Sequence, residues 1–448
     1  MSRAPRPTNP PTERILVCGA VLSDQVVESD GPLSEARSLV RAAGAEVVGE
    51  SDEPLVQKRQ RPDPSTFLGK GKVAEVKEAI GRYSPDAVMV DNDLSPGQGR
   101  NLEKAWGKRV IDRSELILDI FASRARTRQA RLQVELAQME YLRPRLRRMW
   151  THLERTEGAI GTRGPGETQL ETDRRLIAKR IRDLQQRLSE IEQRKRRQVS
   201  SREEQFTVGL VGYTNAGKST LLNRVTGADE FVADMPFATL DTRTRQWVLD
   251  DGRMVLLSDT VGFLSRLPHH LVASFHATLE EALNVDLLIH VVDASHPDAA
   301  DQMAAVEETL GGLTRRVPDL VVLNKVDNVS DPIHLHLLRE GREEPFVHVS
   351  ARTGEGLDRL SRSIEEHLDA RSCVVEARIP IIDGRSVSVL RNVGQALSET
   401  VEGDTTLVLR LRLVARLVGA LENGLADGVD LRIVEPAAQP YYQGEISA

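Results

Sequence analysis

The run Gly212-Tyr213-Thr214-Asn215-Ala216-Gly217-Lys218-Ser219 fits the phosphate-binding pattern G-x-x-x-x-G-K-[ST]. It constrains the fold more than any other stretch, because the pattern has meaning only between a buried strand and a helix. Both flanks read that way. Phe206 to Val211 are mostly apolar with a β-branched bias, and Leu221, Leu222 and Val225 recur at helical spacing after Ser219. The expected fold class is therefore α/β, with a mostly parallel sheet in this region. Its glycines would let backbone N–H groups converge on phosphate oxygens at the positive end of the helix, with Lys218 reaching the β- and γ-phosphates and the Ser219 hydroxyl ligating Mg²⁺.

Further motifs follow in order. Asp259 ends the apolar run Met254 to Leu257, which puts its carboxylate at a strand's carboxyl end, where it can hold Mg²⁺ through water. Asn324-Lys325-Val326-Asp327 follows the strand-like Leu320 to Leu323. An Asp in N-K-x-D accepts hydrogen bonds from the guanine N1–H and N2–H₂ edge, which adenine cannot offer, so the expected nucleotide is GTP. Ser350-Ala351 matches the loop that presents a backbone N–H to the guanine carbonyl oxygen, and Thr239 in Pro236-Phe237-Ala238-Thr239 is the candidate switch threonine for Mg²⁺ and the γ-phosphate. The expected nucleotide-binding set is Gly212, Tyr213, Thr214, Asn215, Ala216, Gly217, Lys218, Ser219, Thr220, Phe237, Thr239, Asp259, Gly262, Asn324, Lys325, Asp327, Ser350 and Ala351. Within it Thr239, Gly262 and Lys218 are the catalytic candidates, and Ser219, Thr239 and Asp259 the metal ligands. Asn215 either helps seat K⁺ beside the phosphates or braces the loop.

Phe263 stands after Asp259-Thr260-Val261-Gly262, where many GTPases place a catalytic Gln. Hydrolysis needs a positioned water and compensation for charge on the transferring phosphoryl group. Phe263 supplies neither by hydrogen bonding, so slow intrinsic turnover is expected until a partner acts. His269, His270 and His276 lack a carboxylate-plus-cysteine set and read as surface or packing residues, as do Glu280 and Glu281 on the same predicted helix.

Length sets the rest: 448 residues predict about three domains. The two cysteines, Cys18 and Cys373, supply no disulfide framework or Cys-rich zinc site, which agrees with a reducing cytoplasm. Arg3, Arg6 and Arg14 before Ile15 to Leu22 imitate a signal peptide, but the prolines and the short apolar run favour a tail followed by a buried strand. No apolar run approaches the roughly 18 residues of a spanning helix. A soluble, cytoplasmic, monomeric protein is expected, with peripheral membrane association as the alternative.

The net charge of −7 hides a division: residues 122–198 carry 20 Lys/Arg against 10 Asp/Glu, which leaves −17 elsewhere. Leu132, Leu136, Met139, Leu142, Leu146, Met149 and Leu153 step by threes and fours, and so do Ile177, Ile181, Leu184, Leu188 and Ile191. Two such narrow stripes predict an antiparallel helical hairpin. If Leu116 to His152 were one helix it would extend roughly 55 Å at 1.5 Å per residue, with Pro144 as a kink. Four glycines and Arg163 in Glu157 to Glu167 form a tip that backbone can bring close to another surface, so the hairpin reads either as a probe for structured RNA or as a solvated charged coil. With only Tyr141 and Trp150 nearby, RNA contact would rest on phosphates and shape.

Several of these runs carry a specific likeness. Asp119 to Ala125, Leu132 to Gln138, Gly161 to Glu167, Thr168 to Arg175, the phosphate loop, Phe237 to Asp241, Asp259 to Phe263 and Leu267-Pro268-His269 together resemble the HflX family of ribosome-associated GTPases, over residues 14 to about 365. The resemblance implies a bacterial factor that binds the large ribosomal subunit, splits stalled or dormant ribosomes under stress and couples release to GTP hydrolysis. It also implies that the tip, Gly161 to Gly166, reaches toward rRNA near the peptidyl-transferase centre. Arg155-Thr156-Glu157-Gly158-Ala159 departs from the Gly-richer run common in that family. A GTP-gated RNA scaffold and an RNA-maturation chaperone are the competing readings.

The expected organisation is a disordered tail (1–13), an N-terminal α/β domain (14–113), the basic hairpin (114–200), the GTPase domain (204–370), a small C-terminal α+β domain (371–435) and a flexible tail (436–448). Phe67 to Lys72 precedes a helix and reads as a Gly-rich turn or a phosphate cradle.

Overall fold

The computed structural model of the chain describes residues 12–23, 29–49, 54–148, 165–199, 205–228, 235–237, 243–260, 262–264, 266, 283–313, 317–403, 405–426 and 428–438. Thr239, the histidines 269, 270 and 276, Glu280, Glu281 and residues 149–164, which hold most of the expected tip, lie outside them.

The N-terminal domain is a parallel sheet with helices on both faces. β1 (Arg14–Leu22) pairs with β2 (Glu46–Val48), farther along with β3 (Leu55–Arg59), and on its other edge with β4 (Ala87–Val90), which pairs with β5 (Arg109–Asp112). Strand alternation splits the core in two. Ile15, Val17, Ala87, Met89 and Ile111 face α1 (Ser34–Ala42), whereas Leu16, Cys18, Val88, Val90 and Val110 face α2 (Lys70–Tyr83) and α3 (Pro96–Trp106). In the Phe67 to Lys72 turn, Gly69 caps α2 and its N–H donates to Gln57 Oε1 at 2.8 Å.

The sequence after β5 is not one long helix. α4 (Arg113–Arg124) buries Leu116, Ile117, Ile120 and Phe121 against the α1 face, so the start of the expected hairpin segment packs as part of the N-terminal core. Ala125 takes an extended conformation, and Thr127 begins α5 (Arg128–Leu142) by accepting from Ala130 N–H at 3.1 Å. α5 ends where Pro144 withdraws an N–H, and a 3₁₀ turn, Arg143–Arg148, follows. Arg145 ties that turn to the domain through Asp112 and the Leu94 carbonyl, both at 2.8 Å, and lies over the Tyr141 ring. α5 therefore has two buried faces: Ala130, Val134, Ala137 and Tyr141 join the N-terminal core, while Leu132 and Leu136 seal against Ile181, Leu184 and Leu188 of α6 (Pro165–Val199).

The third unit has a sheet ordered β11-β10-β9-β6-β8-β7, built from β6 (Phe206–Val211), β7 (Arg243–Val248), β8 (Met254–Asp259), β9 (Leu287–Asp293), β10 (Leu320–Asn324) and β11 (Phe346–His348). Its pairs are parallel except β7 with β8. Its described helices are α7 (Lys218–Thr226), α8 (Ala299–Leu313), α9 (Pro332–Arg339) and α10 (Leu357–Ala370). The C-terminal sheet is antiparallel, with β13 (Gln395–Glu402), β14 (Thr406–Val414), β12 (Ser372–Pro380) and β15 (Asp430–Glu435) in that order, accompanied by α11 (Gly384–Val393) and α12 (Val418–Gly424). Its inner residues Val375, Ala377, Leu409 and Leu411 belong to one continuous core with Val208, Ile289, Val322 and Ile364. Cys18 and Cys373 are both buried free thiols in different units, and no described helix is long and apolar enough to cross a membrane.

Candidate nucleotide site

Parallel strands place their following loops together at the carboxyl edge of a sheet. Here that edge collects Gly212 to Ser219 after β6, Asp259 at the end of β8, Asp293 at the end of β9, Asn324 to Asp327 after β10 and Ser350-Ala351 after β11.

Two glycines of the phosphate loop are required by contact. A Cβ on Gly212 would lie 2.1 Å from the Val291 carbonyl oxygen, and one on Gly217, where φ is +92°, would lie 2.3 Å from Asn324 Nδ2. Asn215 is exposed at the crest with φ +63°, and Thr220 is half-buried in the first turn of α7. Lys218 Nζ donates to the carbonyls of Gly212 and Tyr213 at 3.0 and 2.8 Å. Burial lowers its pKa to about 8 against the opposing pull of Asp259. The Ser219 hydroxyl donates to Asp259 Oδ2 at 2.6 Å. A hydroxyl beside a carboxylate is a hard oxygen pair suited to Mg²⁺, which keeps waters and takes few protein ligands. The donor chemistry fits the ion, and among the described residues no cluster of His, Cys, Asp and Glu offers a competing metal site.

The segment after Asp259 is laced to the phosphate loop. Thr260 Oγ1 donates to the Leu210 carbonyl at 2.7 Å, Thr214 N–H to the Phe263 carbonyl at 2.7 Å, and Phe263 N–H to the Gly212 carbonyl at 3.1 Å. Gly262 sits inside this rung, where a Cβ would come 2.8 Å from Thr214 Cγ2 and 3.1 Å from Lys218 Nζ. Phe263 itself is 2% exposed, packed among Val211, Leu283, Leu288 and Leu310. Its backbone joins the two loops while its ring fills the core beneath them.

The end of the site formed by the loops after β10 and β11 is knitted by Asn324, which is 1% exposed. Its Nδ2 donates to the Ala216 carbonyl at 2.9 Å, and its Oδ1 accepts from Ala351 N–H at 3.0 Å, so one side chain sets the spacing of two loops. Lys325 Nζ pairs with Asp293 at 2.6 Å. The Ser350 hydroxyl and the Arg352 guanidinium hold the Asp327 carboxyl below the usual carboxylate range. Asp293 and Arg352 belong to no motif of the sequence, although a carboxylate ending the apolar β9 is a signal for the first.

Phe237 is 2% exposed and packs edge-to-face on Phe121 of the N-terminal domain, with ring centroids 4.6 Å apart. It is thus a domain contact as well as a neighbour of Thr239. Tyr213 likewise turns outward, donating its hydroxyl to Glu35 of α1.

Three family models match the chain: GTP-binding GTPase N-terminal over residues 30–122, GTP-binding GTPase Middle Region over 124–202, and 50S ribosome-binding GTPase over 207–325. GTPase HflX of Escherichia coli (strain K12) is 43% identical over 385 residues, 85% of this chain and 89% of its own length. GTPase HflX of Lacrimispora saccharolytica is 42% identical over 422 residues, 93% of this chain and 96% of its own. A solved GTP-binding protein from the archaeon Sulfolobus solfataricus, in complex with GDP, shares 23% identity over 79% of this chain and 98% of its own, with a TM-score of 0.40. With relatives so similar over most of this chain and of their own length, the chain is a GTP-hydrolysing enzyme and belongs to the HflX family of GTPases.

Proposed function

We propose that this GTPase works in the cytoplasm on the large ribosomal subunit, dissociating stalled or dormant ribosomes under stress and turning over GTP when the ribosome orders its switch segments. The observation that carries the reading is a continuous path of packing. The basic α5–α6 pair shares α5 with the N-terminal core, and that core holds Phe237 and Leu264 from the loops around the phosphate site. A force on the hairpin tip therefore has a route to the nucleotide.

In this reading Lys218 neutralises the β- and γ-phosphates, Ser219 and Asp259 hold Mg²⁺ with Thr239, the Gly262 N–H faces the γ-phosphate, and Asp327 reads the guanine edge. Bound Mg²⁺ would neutralise charge developing on the phosphates. Phe263, buried as a rung, orients no water, which supports slow turnover in isolation: a small GTPase without its activator runs at about 10⁻⁴ per second. RNA contact rests on phosphates along α6, where Arg174, Arg175 and Arg187 are exposed.

Sedimentation of ribosomes with the full chain under GTP, a non-hydrolysable analogue and GDP tests the reading. Free subunits are expected under GTP and the analogue, with the protein on the large subunit. Intact ribosomes in all three conditions would overturn it, and tight RNA binding without dissociation would favour a scaffold.

A further inference from the structure

The N-terminal and GTPase domains meet through a buried charge cluster that closes a ring passing through the phosphate loop. Arg113, at the first turn of α4, is 1% exposed. Its guanidinium pairs with Asp91 at 2.5 Å and with Glu35 of α1. Each carboxylate also takes a partner from the GTPase domain: Glu35 accepts from the Tyr213 hydroxyl, and Asp91 from Arg266 Nη2 at 2.8 Å. Tyr213 is the second residue of the phosphate loop, and Arg266, at φ +54°, follows the Gly262-Phe263 rung. On the other side the rung itself joins Gly212 and Thr214 to Phe263. The ring therefore runs from Tyr213 through Glu35, Arg113, Asp91 and Arg266 back to the phosphate loop.

Burying an arginine between two acids is a weak way to gain stability, because desolvation offsets most of the attraction. What this arrangement supplies is geometry: planar, forked hydrogen bonding that fixes two carboxylates relative to each other. Those carboxylates then fix two loops of the phosphate site. We infer that Arg113 is a positioning residue for GTP turnover, acting from the N-terminal domain through Glu35 on Tyr213 and through Asp91 on Arg266. The inference needs the nucleotide reading of Gly212 to Ser219 and not the ribosomal one.

The test uses the full chain. Tyr213→Phe and Arg266→Ala open the ring from the GTPase side and leave Arg113 paired with both acids, so folding is spared even if Arg113→Ala fails to fold. Single-turnover GTP hydrolysis, kcat and KM, and melting temperature are measured for each variant and for the pair. The expected result is a fall in kcat of about fivefold for each single variant, the scale of a modest coupling between sites. KM and melting temperature should stay unchanged, the double variant should be no worse than either single, and Arg266→Lys should recover part of the loss. Unchanged kcat in both single variants, or losses that multiply in the double, would overturn the inference. Lys218→Ala serves as the separate control, since retained GTP binding there defeats the nucleotide reading itself.

Discussion

The GTPase sheet has two ends, and the domains attached to them are joined in opposite ways. At the amino ends of β6, β9 and β10 the C-terminal sheet shares a continuous apolar core, fastened by Arg416 to Asp286 at 2.9 Å and Arg371 to Asp319 at 2.7 Å. At the carboxyl ends the N-terminal domain touches the loops of the phosphate site themselves, where Phe237 and Leu264 enter its apolar core and Tyr213 and Arg266 add the hydrogen bonds and ion pairs that the amino-end join makes only away from the loops. Apolar burial is non-directional and changes little when one loop moves, whereas a hydrogen bond is lost over a fraction of an ångström. The first join is suited to permanence. The second is suited to responding to what occupies the site.

Substitutions separate the two joins. The largest effect on folding is expected at the amino end: Leu411→Ala, at a fully buried position of the shared core, should cost about 4 kcal/mol. Urea unfolding checks it, and GTP affinity of the folded fraction should be unchanged. Lys218→Ala should do the reverse, weakening GTP binding at least about a hundredfold, the scale of a lost charge-assisted contact, with no loss of thermal stability; titration calorimetry reads it. Gly262→Ala forces a Cβ to within 2.8 Å of Thr214 and should lower kcat about tenfold, or about 1.4 kcal/mol at the transition state. If it lowered the melting temperature more than kcat, the rung would be structural only.

The smallest effect is electrostatic. Burial lowers the Lys218 pKa to about 8, and phosphates favour its charged form. Affinity for GTP should be highest well below pH 8, where Lys218 is charged, and should fall as pH rises through that value. The slope should vanish in Lys218→Ala. A flat profile in the parent protein would remove the desolvated lysine from the site's energetics.

What could be read from the chain follows the same division. The strand and helix flanking Gly212, and the strands ending at Asp259 and Asn324, announce themselves in local apolar runs, because a parallel strand covered on both faces is apolar throughout. The ring through Glu35, Asp91 and Arg113 leaves no such trace: Tyr213 and Glu35 lie 178 residues apart, and neither belongs to a pattern whose spacing reports the contact. Phe263 was legible as a missing polar group but not as a buried rung, since its burial depends on Leu283, Leu288 and Leu310 from later elements. The span from Leu116 to His152, taken as one helix, is broken at Ala125: α4 packs into the N-terminal core, whereas α5 turns Leu132 and Leu136 of the stripe toward α6, a division that local apolar spacing does not report.

The proposed function requires that a site whose loops are held by a neighbouring domain turn over GTP faster when a ribosomal partner engages that domain. Steady-state GTP turnover by the full chain, with and without purified large ribosomal subunits, tests it most directly. Acceleration of at least about a hundredfold by large subunits is the predicted result, within the range that partners supply to GTPases. A rate that stays the same at saturating subunits would contradict it.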